Sequence, residues 1–507
     1  MNLHTIFWLL IFLTIIDSLI IQTESPQMTR FVQRRRAFLS TVAGIGLGGI
    51  TGLGARAIAQ PRISGRSGEG TKAPNIIFIL ADDLGYADVS CFGTPGFTTP
   101  SIDRIAHEGI KLTRAYANSA VCSATRTALI TGRYQDRIAC GLEEPIASSS
   151  GKIGLPPGLP TLPEQLHRAG YRTALVGKWH LGSPPEFGPL KSGYDHFYGI
   201  SGGAADYFTH QAKPGEDQFY RDDHLIHDHG YLTGLLGDEA VRLVDTFAQD
   251  TSPFFLSLHF NAPHWPWEGP EDEAESKRLK GRIFDYDGGT QKTYGRMVRA
   301  MDDQIGRVLA TLDRHQLTEN TIVVFTSDNG GERFSEIWPF TGMKGELLEG
   351  GLRVPAVLRW PARVRAGSRR AQPLLTMDWL PSFLAAAGVT PDATFPSDGT
   401  NLLPFLSDPE KRQSRSLFWR YKIHDQHAHL DGDYKYLKIG ENEFLFDVVS
   451  DPRERANLKD RKPELFARLK KEWAAWNATM LPFPQGSYSW GADAQDFADH
   501  YDASRSD

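Results

Sequence analysis

Hydrophobic and polar positions follow two different patterns on either side of about residue 60. Beyond it, short apolar runs alternate with stretches in which apolar residues recur every three or four positions, as in an α/β fold. Residues 75–80, 173–176, 254–258, 321–325 and 354–358 are short, largely apolar runs and read as buried, mostly parallel strands. Tyr294, Met297, Val298, Met301, Ile305, Val308, Leu309 and Leu312 keep helical spacing and predict one long helix. Residues 101–109 and 162–169 predict shorter helices, the second stopped by Gly170. After about residue 395 the texture changes. There, 417–421, 434–439 and 444–448 predict short antiparallel strands, and 464–476 a closing helix. The expected organisation is an α/β main domain over 72–394 with a smaller α+β subdomain over 395–507.

Residues 1–59 have a different texture. Arg35-Arg36-Ala37-Phe38-Leu39 precedes a moderately apolar, Gly-rich stretch over 41–53, and Ala57-Ile58-Ala59 places small residues where a signal peptidase reads. The order is that of a secretory leader, and the paired arginines resemble the twin-arginine type. An earlier apolar run over 6–21 is broken by Asp17, is short for a membrane span and has no Lys or Arg before it. Met28 opens a sequence that reads as a complete leader, so translation is expected to start there. Export of a folded protein through the twin-arginine machinery, to the periplasm or beyond, is the expectation.

Composition narrows the function. The 507 residues carry a net charge of −6, so there is no bulk basic field to hold nucleic acid. An anionic substrate needs local cations or a metal. Three cysteines exclude a disulfide scaffold and a four-Cys zinc site. Cys91 and Cys140 either pair or stay free.

Polar residues cluster just after the predicted strands: Asp82 and Asp83, Lys178 and His180, His264, Asp328 and Asn329. Ligand sites of open α/β sheets lie beyond the carboxyl ends of the strands, so these clusters are expected to converge. Each acidic pair alone reads more often as a turn or helix cap than as a metal site. Together they form an oxygen-only set, which selects Ca²⁺, and Mg²⁺ after it, over zinc.

The stretch Cys122-Ser123-Ala124-Thr125-Arg126, followed by Thr131-Gly132-Arg133, resembles the sulfatase signature C-x-[PA]-x-R with its later T-G-R. Gly170-Tyr171-Arg172-Thr173 with Gly177-Lys178-Trp179-His180 resembles the second signature of that family. Pro263-His264, Asp328-Asn329-Gly330 and Lys344 complete the ordered set. The chain thus resembles the type I, formylglycine-dependent sulfatases, of the arylsulfatase A and N-acetylgalactosamine-6-sulfatase kind, within the alkaline-phosphatase-like superfamily. The resemblance is strong over 72–390 and weak beyond.

It implies a mixed, mostly parallel sheet flanked by helices, and hydrolysis of sulfate monoesters. It further implies that a maturase oxidises Cys122 to formylglycine, whose hydrated aldehyde attacks sulfur and later collapses to release sulfate. Asp82, Asp83, the converted Cys122, Asp328 and Asn329 would surround calcium, while Arg126 and Lys178 neutralise charge nearby. His180 would deprotonate the second hydroxyl, and His264 and Lys344 would face the leaving oxygen. Arg133 is expected to hold the helix after Cys122, and Ser201 aligns too poorly to join the site.

Alternatives are a phosphomonoester or phosphonate-ester hydrolase of the same superfamily and a glycan-binding pseudoenzyme. A sulfated carbohydrate is the expected substrate, because polar insertions over 213–230 and 269–289 could rim an open cleft. The clusters His224, His227, His229 and His424, His427, His429 read as surface loops, with glycan subsites as the alternative.

Overall fold

The computed structural model describes residues 72–491, apart from 94, 148–151, 283–287 and 409. The expected leader lies outside the described residues. The strands are β1 (Asn75–Ala81), β2 (Ile110–Leu112), β3 (Ala115–Tyr116), β4 (Arg172–Gly177), β5 (His196–Ile200), β6 (Phe219–Arg221), β7 (His224–Leu225), β8 (Phe254–His259), β9 (Thr321–Ser327), β10 (Ala356–Arg359), β11 (Ser368–Arg370) and β12 (Leu374–Leu375). Four more follow: β13 (Ser416–Tyr421), β14 (Gln426–Asp431), β15 (Tyr434–Ile439) and β16 (Asn442–Asp447).

Ten of these form one sheet in the order β11-β2-β10-β9-β1-β8-β4-β5-β6-β7. Its central five, β9-β1-β8-β4-β5, are all parallel. β1 and β8 are buried along nearly their whole length, as their largely apolar runs require. The run predicted over 354–358 pairs antiparallel with β9, so the sheet is mixed, as the family resemblance implies. One face is covered by the long helix Gln291–Arg314, whose buried stripe holds the eight predicted positions. Helix Leu232–Phe247 packs against it. Gly237 faces it: a Cβ there would lie 2.2 Å from Gln304 Oε1, so that side chain packs over the glycine.

The strands β13 to β16 form a separate antiparallel sheet in simple sequence order. Its core is shared with the rest of the molecule, because Leu417, Trp419 and Leu430 pack with Val121, Ala124 and Ala128. The C-terminal sheet therefore buttresses the helix Cys122–Thr131.

One expectation is overturned here. His427 and His429 lie on β14, not on a surface loop. His429 is buried, stacks on Phe418 with ring centroids 4.2 Å apart, and places Nδ1 3.0 Å from the Leu469 carbonyl. His427 stacks on Trp473 at 3.6 Å. Polar residues in the strand obscure its alternation in the sequence. His224, His227 and His229 are exposed, as expected, but His224 lies on the short edge strand β7 rather than in a loop. Cys91 and Cys140 are free.

Candidate active site

Strand register places the site. Ala81 pairs with Ser327 across β1 and β9, and His259 of β8 pairs with both Leu80 and Gly177. The chains leaving β1, β9, β4 and β8 thus emerge at one level, which delivers Asp82–Asp83, Asp328–Asn329, Lys178–His180 and His264 to one place. Gly177 has φ +115°, and a Cβ there would lie 1.8 Å from the His259 carbonyl, so only glycine allows this close exit.

Cys122 opens the helix Cys122–Thr131, all ten residues of which are buried, and which ends at Gly132 in the left-handed conformation. No side chain caps its N-terminus, so its free N–H groups favour negative charge beside Cys122. The Cys122 Sγ lies 3.3 Å from Asp82 Oδ1 and 3.9 Å from Asp83 Oδ1. Lys178 Nζ donates to Asp82 Oδ2 at 2.5 Å and Lys344 Nζ to Asp83 Oδ2 at 2.7 Å. Arg126, one turn along the helix, donates through Nε and Nη2 to Asp328 Oδ2 at 3.1 and 2.8 Å, and through Nη1 to the Lys178 carbonyl at 2.9 Å. The Asp83 N–H lies 3.3 Å from Asp328 Oδ1, and Asn329 Nδ2 donates to Asp83 Oδ1 at 2.7 Å. His264 Nε2 lies 3.5 Å from Asp83 Oδ2. Every residue of the expected site is buried, and all are joined in this one cluster except His180, which reaches it through the cleft.

The electrostatics divide these groups by role. Burial, opposed by Lys178 and reinforced by Asp328 and Asp83, pushes Asp82 up to about 7. Burial also works against charge on Asp328, yet Arg126 and Lys178 hold it below the usual carboxylate range. Lys344 keeps its proton despite burial, because Asp83, Cys122 and Asp82 raise it well above a free lysine. Both histidines are held well below 6.5 by burial, His180 further by Lys178 and His264 further by Lys344. A carbonyl only accepts, so His264 Nδ1–H donates to the Trp265 carbonyl at 2.7 Å and leaves Nε2 bare. His180 Nε2–H donates to the Ile146 carbonyl at 2.9 Å, and its Nδ1 has no partner among the described residues.

The donor set fits a hard cation. Three buried carboxylates crowd together, and the buried Asn329 Oδ1 has no partner among the described residues. Asp82, Asp83, Cys122 and His264 each present an atom within 4.8 Å of the others. The oxygen donors of the cluster are the carboxylates of Asp82, Asp83 and Asp328 and the Asn329 amide, and such oxygens suit Ca²⁺ or Mg²⁺.

Cys122, His180, His264 and Lys344 line one open cleft of ≈ 360 Å³. Of the two polar insertions, 213–230 reaches this cleft through Lys213. The insertion over 269–289 lines a different groove beside the long helix, through Pro270 and Glu271. Arg133 lies 4.4 Å over the Phe395 ring, a packing contact, and Ser201 serves through its carbonyl, which accepts the His180 N–H at 3.1 Å. Sequence reasoning missed Glu332 and His259. Both Glu332 carboxylate oxygens and both His259 ring nitrogens are buried and without partners among the described residues. Burial and Asp83 push Glu332 up to about 7. A carboxylate just past Asn329 and a histidine ending an apolar strand were the available signals.

The sulfatase family model matches residues 74–389, and that of the N-sulphoglucosamine sulphohydrolase C-terminal region matches 343–478. Human N-acetylgalactosamine-6-sulfatase is 34% identical over 378 residues, 70% of this chain and 67% of its own length. Mouse arylsulfatase J is 29% identical over 471 residues, 82% of this chain and 77% of its own. The crystal structure of Ps i-CgsB in complex with k-i-k-neocarrahexaose superposes with a TM-score of 0.74 at 30% identity, covering 85% of this chain and 98% of that one.

Proposed function

The chain belongs to the sulfatase family and is a sulfuric ester hydrolase; from that premise we propose that it removes sulfate from a sulfated carbohydrate, with formylglycine at position 122 and a bound calcium ion. The observation that carries this reading is the Cys122 side chain lying 3.3 Å from Asp82 in a cleft it shares with His180, His264 and Lys344. The carbohydrate preference draws support from the N-acetylgalactosamine-6-sulfatase relative and from the hexaose held by Ps i-CgsB.

Asp82, Asp83, Asp328 and Asn329 would hold the ion, which would supply positive charge against the sulfate oxygens. Formylglycine would supply a hydrated aldehyde as nucleophile. The remaining work falls to side chains already in place. Arg126 and Lys178 fix and neutralise Asp328 and Asp82. His180, neutral with a bare Nδ1, suits taking a proton from a hydroxyl in the cleft. Between the two groups facing the leaving oxygen, Lys344 is the one that holds a proton to give, and His264 Nε2 can accept one. Cys122 is 1% exposed, which supports conversion by a maturase before the chain closes. Export through the twin-arginine route, which the expected leader would direct, belongs to the same proposal.

The test is the mass of the Cys122 peptide from protein made with a formylglycine-generating enzyme, measured beside sulfate release from 4-nitrophenyl sulfate and phosphate release from 4-nitrophenyl phosphate. Converted Cys122, preference for the sulfate ester and a dead Cys122→Ala variant are expected. Turnover by Cys122→Ala, or activity with an unmodified thiol, overturns the mechanism.

A further inference from the structure

After the closing helix Pro463–Asn477 the chain turns back, and residues 481–490 run as a strap to the catalytic cleft. The strap is tightly held. The Leu481 N–H donates to the Asp136 carbonyl at 3.0 Å, and the Tyr488 N–H to Glu143 Oε2 at 2.9 Å. The Glu144 N–H donates to the Tyr488 carbonyl at 3.0 Å, and the Trp490 N–H returns to the Glu144 carbonyl at 2.5 Å. Ser489 Oγ donates to Glu144 Oε2 at 2.6 Å, and Tyr421 Oη to the Trp490 carbonyl at 2.5 Å.

None of these bonds uses the rings of Tyr488 or Trp490. Both rings line the cleft that contains Cys122. Trp490 is the deeper, with Lys344 Nζ 5.2 Å from its ring centroid and the ring against Gly345, where a Cβ would lie 2.9 Å from it. Tyr488 stands further out and is 46% exposed. A tightly anchored backbone that brings two aromatic rings to a catalytic cleft makes a surface for a flat, weakly apolar ligand. The C–H faces of a pyranose ring are such a surface, with the tyrosine hydroxyl available to its hydroxyls. The family models end at 389 and 478, so neither match reaches this strap.

We infer that the strap is a carbohydrate-stacking wall, with Trp490 beside the sugar that bears the scissile sulfate and Tyr488 beside the next sugar out, so that the site takes a sulfated oligosaccharide in preference to a single-ring ester. The inference rests on the sulfatase reading of the cleft and deepens it.

The experiment uses fully converted wild type, Tyr488→Ala and Tyr488→Phe, with 4-nitrophenyl sulfate as reporter. The competitors are k-i-k-neocarrahexaose and a chondroitin 6-sulfate hexasaccharide, and the same two are titrated calorimetrically. At least one hexasaccharide binds and competes in wild type. Tyr488→Ala weakens that binding about tenfold more than it raises KM for the single-ring reporter. Tyr488→Phe, which keeps the ring, stays within about threefold of wild type. If Tyr488→Ala melts early, Tyr488→Leu keeps bulk without a flat face and carries the same expectation. Equal losses on hexasaccharide and reporter, or no binding of either hexasaccharide, overturn the wall. Calorimetric binding through Tyr488 without any sulfate release would instead overturn the proposed function and leave the wall standing.

Discussion

Replacing Gly203 with Ala tests whether the position of His180 matters to turnover. A Cβ at 203 would lie 2.5 Å from both Cε1 and Nε2 of the His180 ring and 3.2 Å from Nδ1. Carbon contacts are comfortable from about 3.5 Å, so the ring must retreat by about 1 Å. The His180 backbone is held against this shift. His180 already has φ +58°, and its N–H is held by the Ser201 carbonyl at 3.1 Å. Its ring must therefore give way, stretching the 2.9 Å bond from Nε2 to the Ile146 carbonyl and turning the bare Nδ1 from its place in the cleft. Overpacking of this size costs about 1–3 kcal/mol of stability, which a large α/β protein survives. A displacement of about 1 Å at a proton-accepting group costs on the order of 100-fold in kcat. The assay is kcat on 4-nitrophenyl sulfate with Cys122 conversion and thermal melting measured on the same preparation. A folded, fully converted Gly203→Ala enzyme with kcat within about threefold of wild type would refute the role of His180 as a placed proton acceptor.

Two further outcomes follow from buried charge. Burial pushes Glu144 up to about 8, against the hydrogen bonds from Ser489 Oγ and the Lys422 N–H. Its contribution to stability is therefore full below the unfolded value of 4.5 and is lost as pH rises towards about 8, at no more than about 1.4 kcal/mol per pH unit. Glu144→Gln should flatten that slope relative to wild type in urea titrations across pH 5 to pH 8, and an unchanged slope would show that Glu144 is not the group. Chelation with EDTA should lower the melting temperature by uncovering the repulsion among Asp82, Asp83 and Asp328, and calcium should restore it more fully than magnesium. An ion at a hundred times its Kd adds about 2.7 kcal/mol, so a melt insensitive to EDTA would remove the carboxylates from the metal role.

The sequence was most informative where chemistry and backbone coincide. Asp82, Lys178 and Asp328 each follow a strand with an apolar centre, so their convergence could be expected from the rule for open α/β sheets, while their meeting needed the strand register. Helix Leu232–Phe247 lay outside the predicted elements because Gly234 and Gly237 dilute its period. β14 was lost for a related reason: two histidines in one strand look like a loop until Phe418 and Trp473 are found stacked on them.

The same distinction applies within the site. A motif records residues that must have one chemical identity, and those of the cleft floor do. Gly203 and Tyr488 are constrained by what lies across the fold from them, a ring 2.5 Å from a missing Cβ and a cleft reached only after the chain has closed its C-terminal helix. No local window contains both sides of such a contact. The floor, which acts on the sulfate, was therefore legible, and the wall, which meets whatever carries the sulfate, was not. If the wall discriminates between sugars, substrate choice in this chain can change through strap residues such as Tyr488 without disturbing any signature residue. The backbone anchors at Glu143 and Glu144 make that exchange inexpensive, since they hold the strap whatever rings it bears.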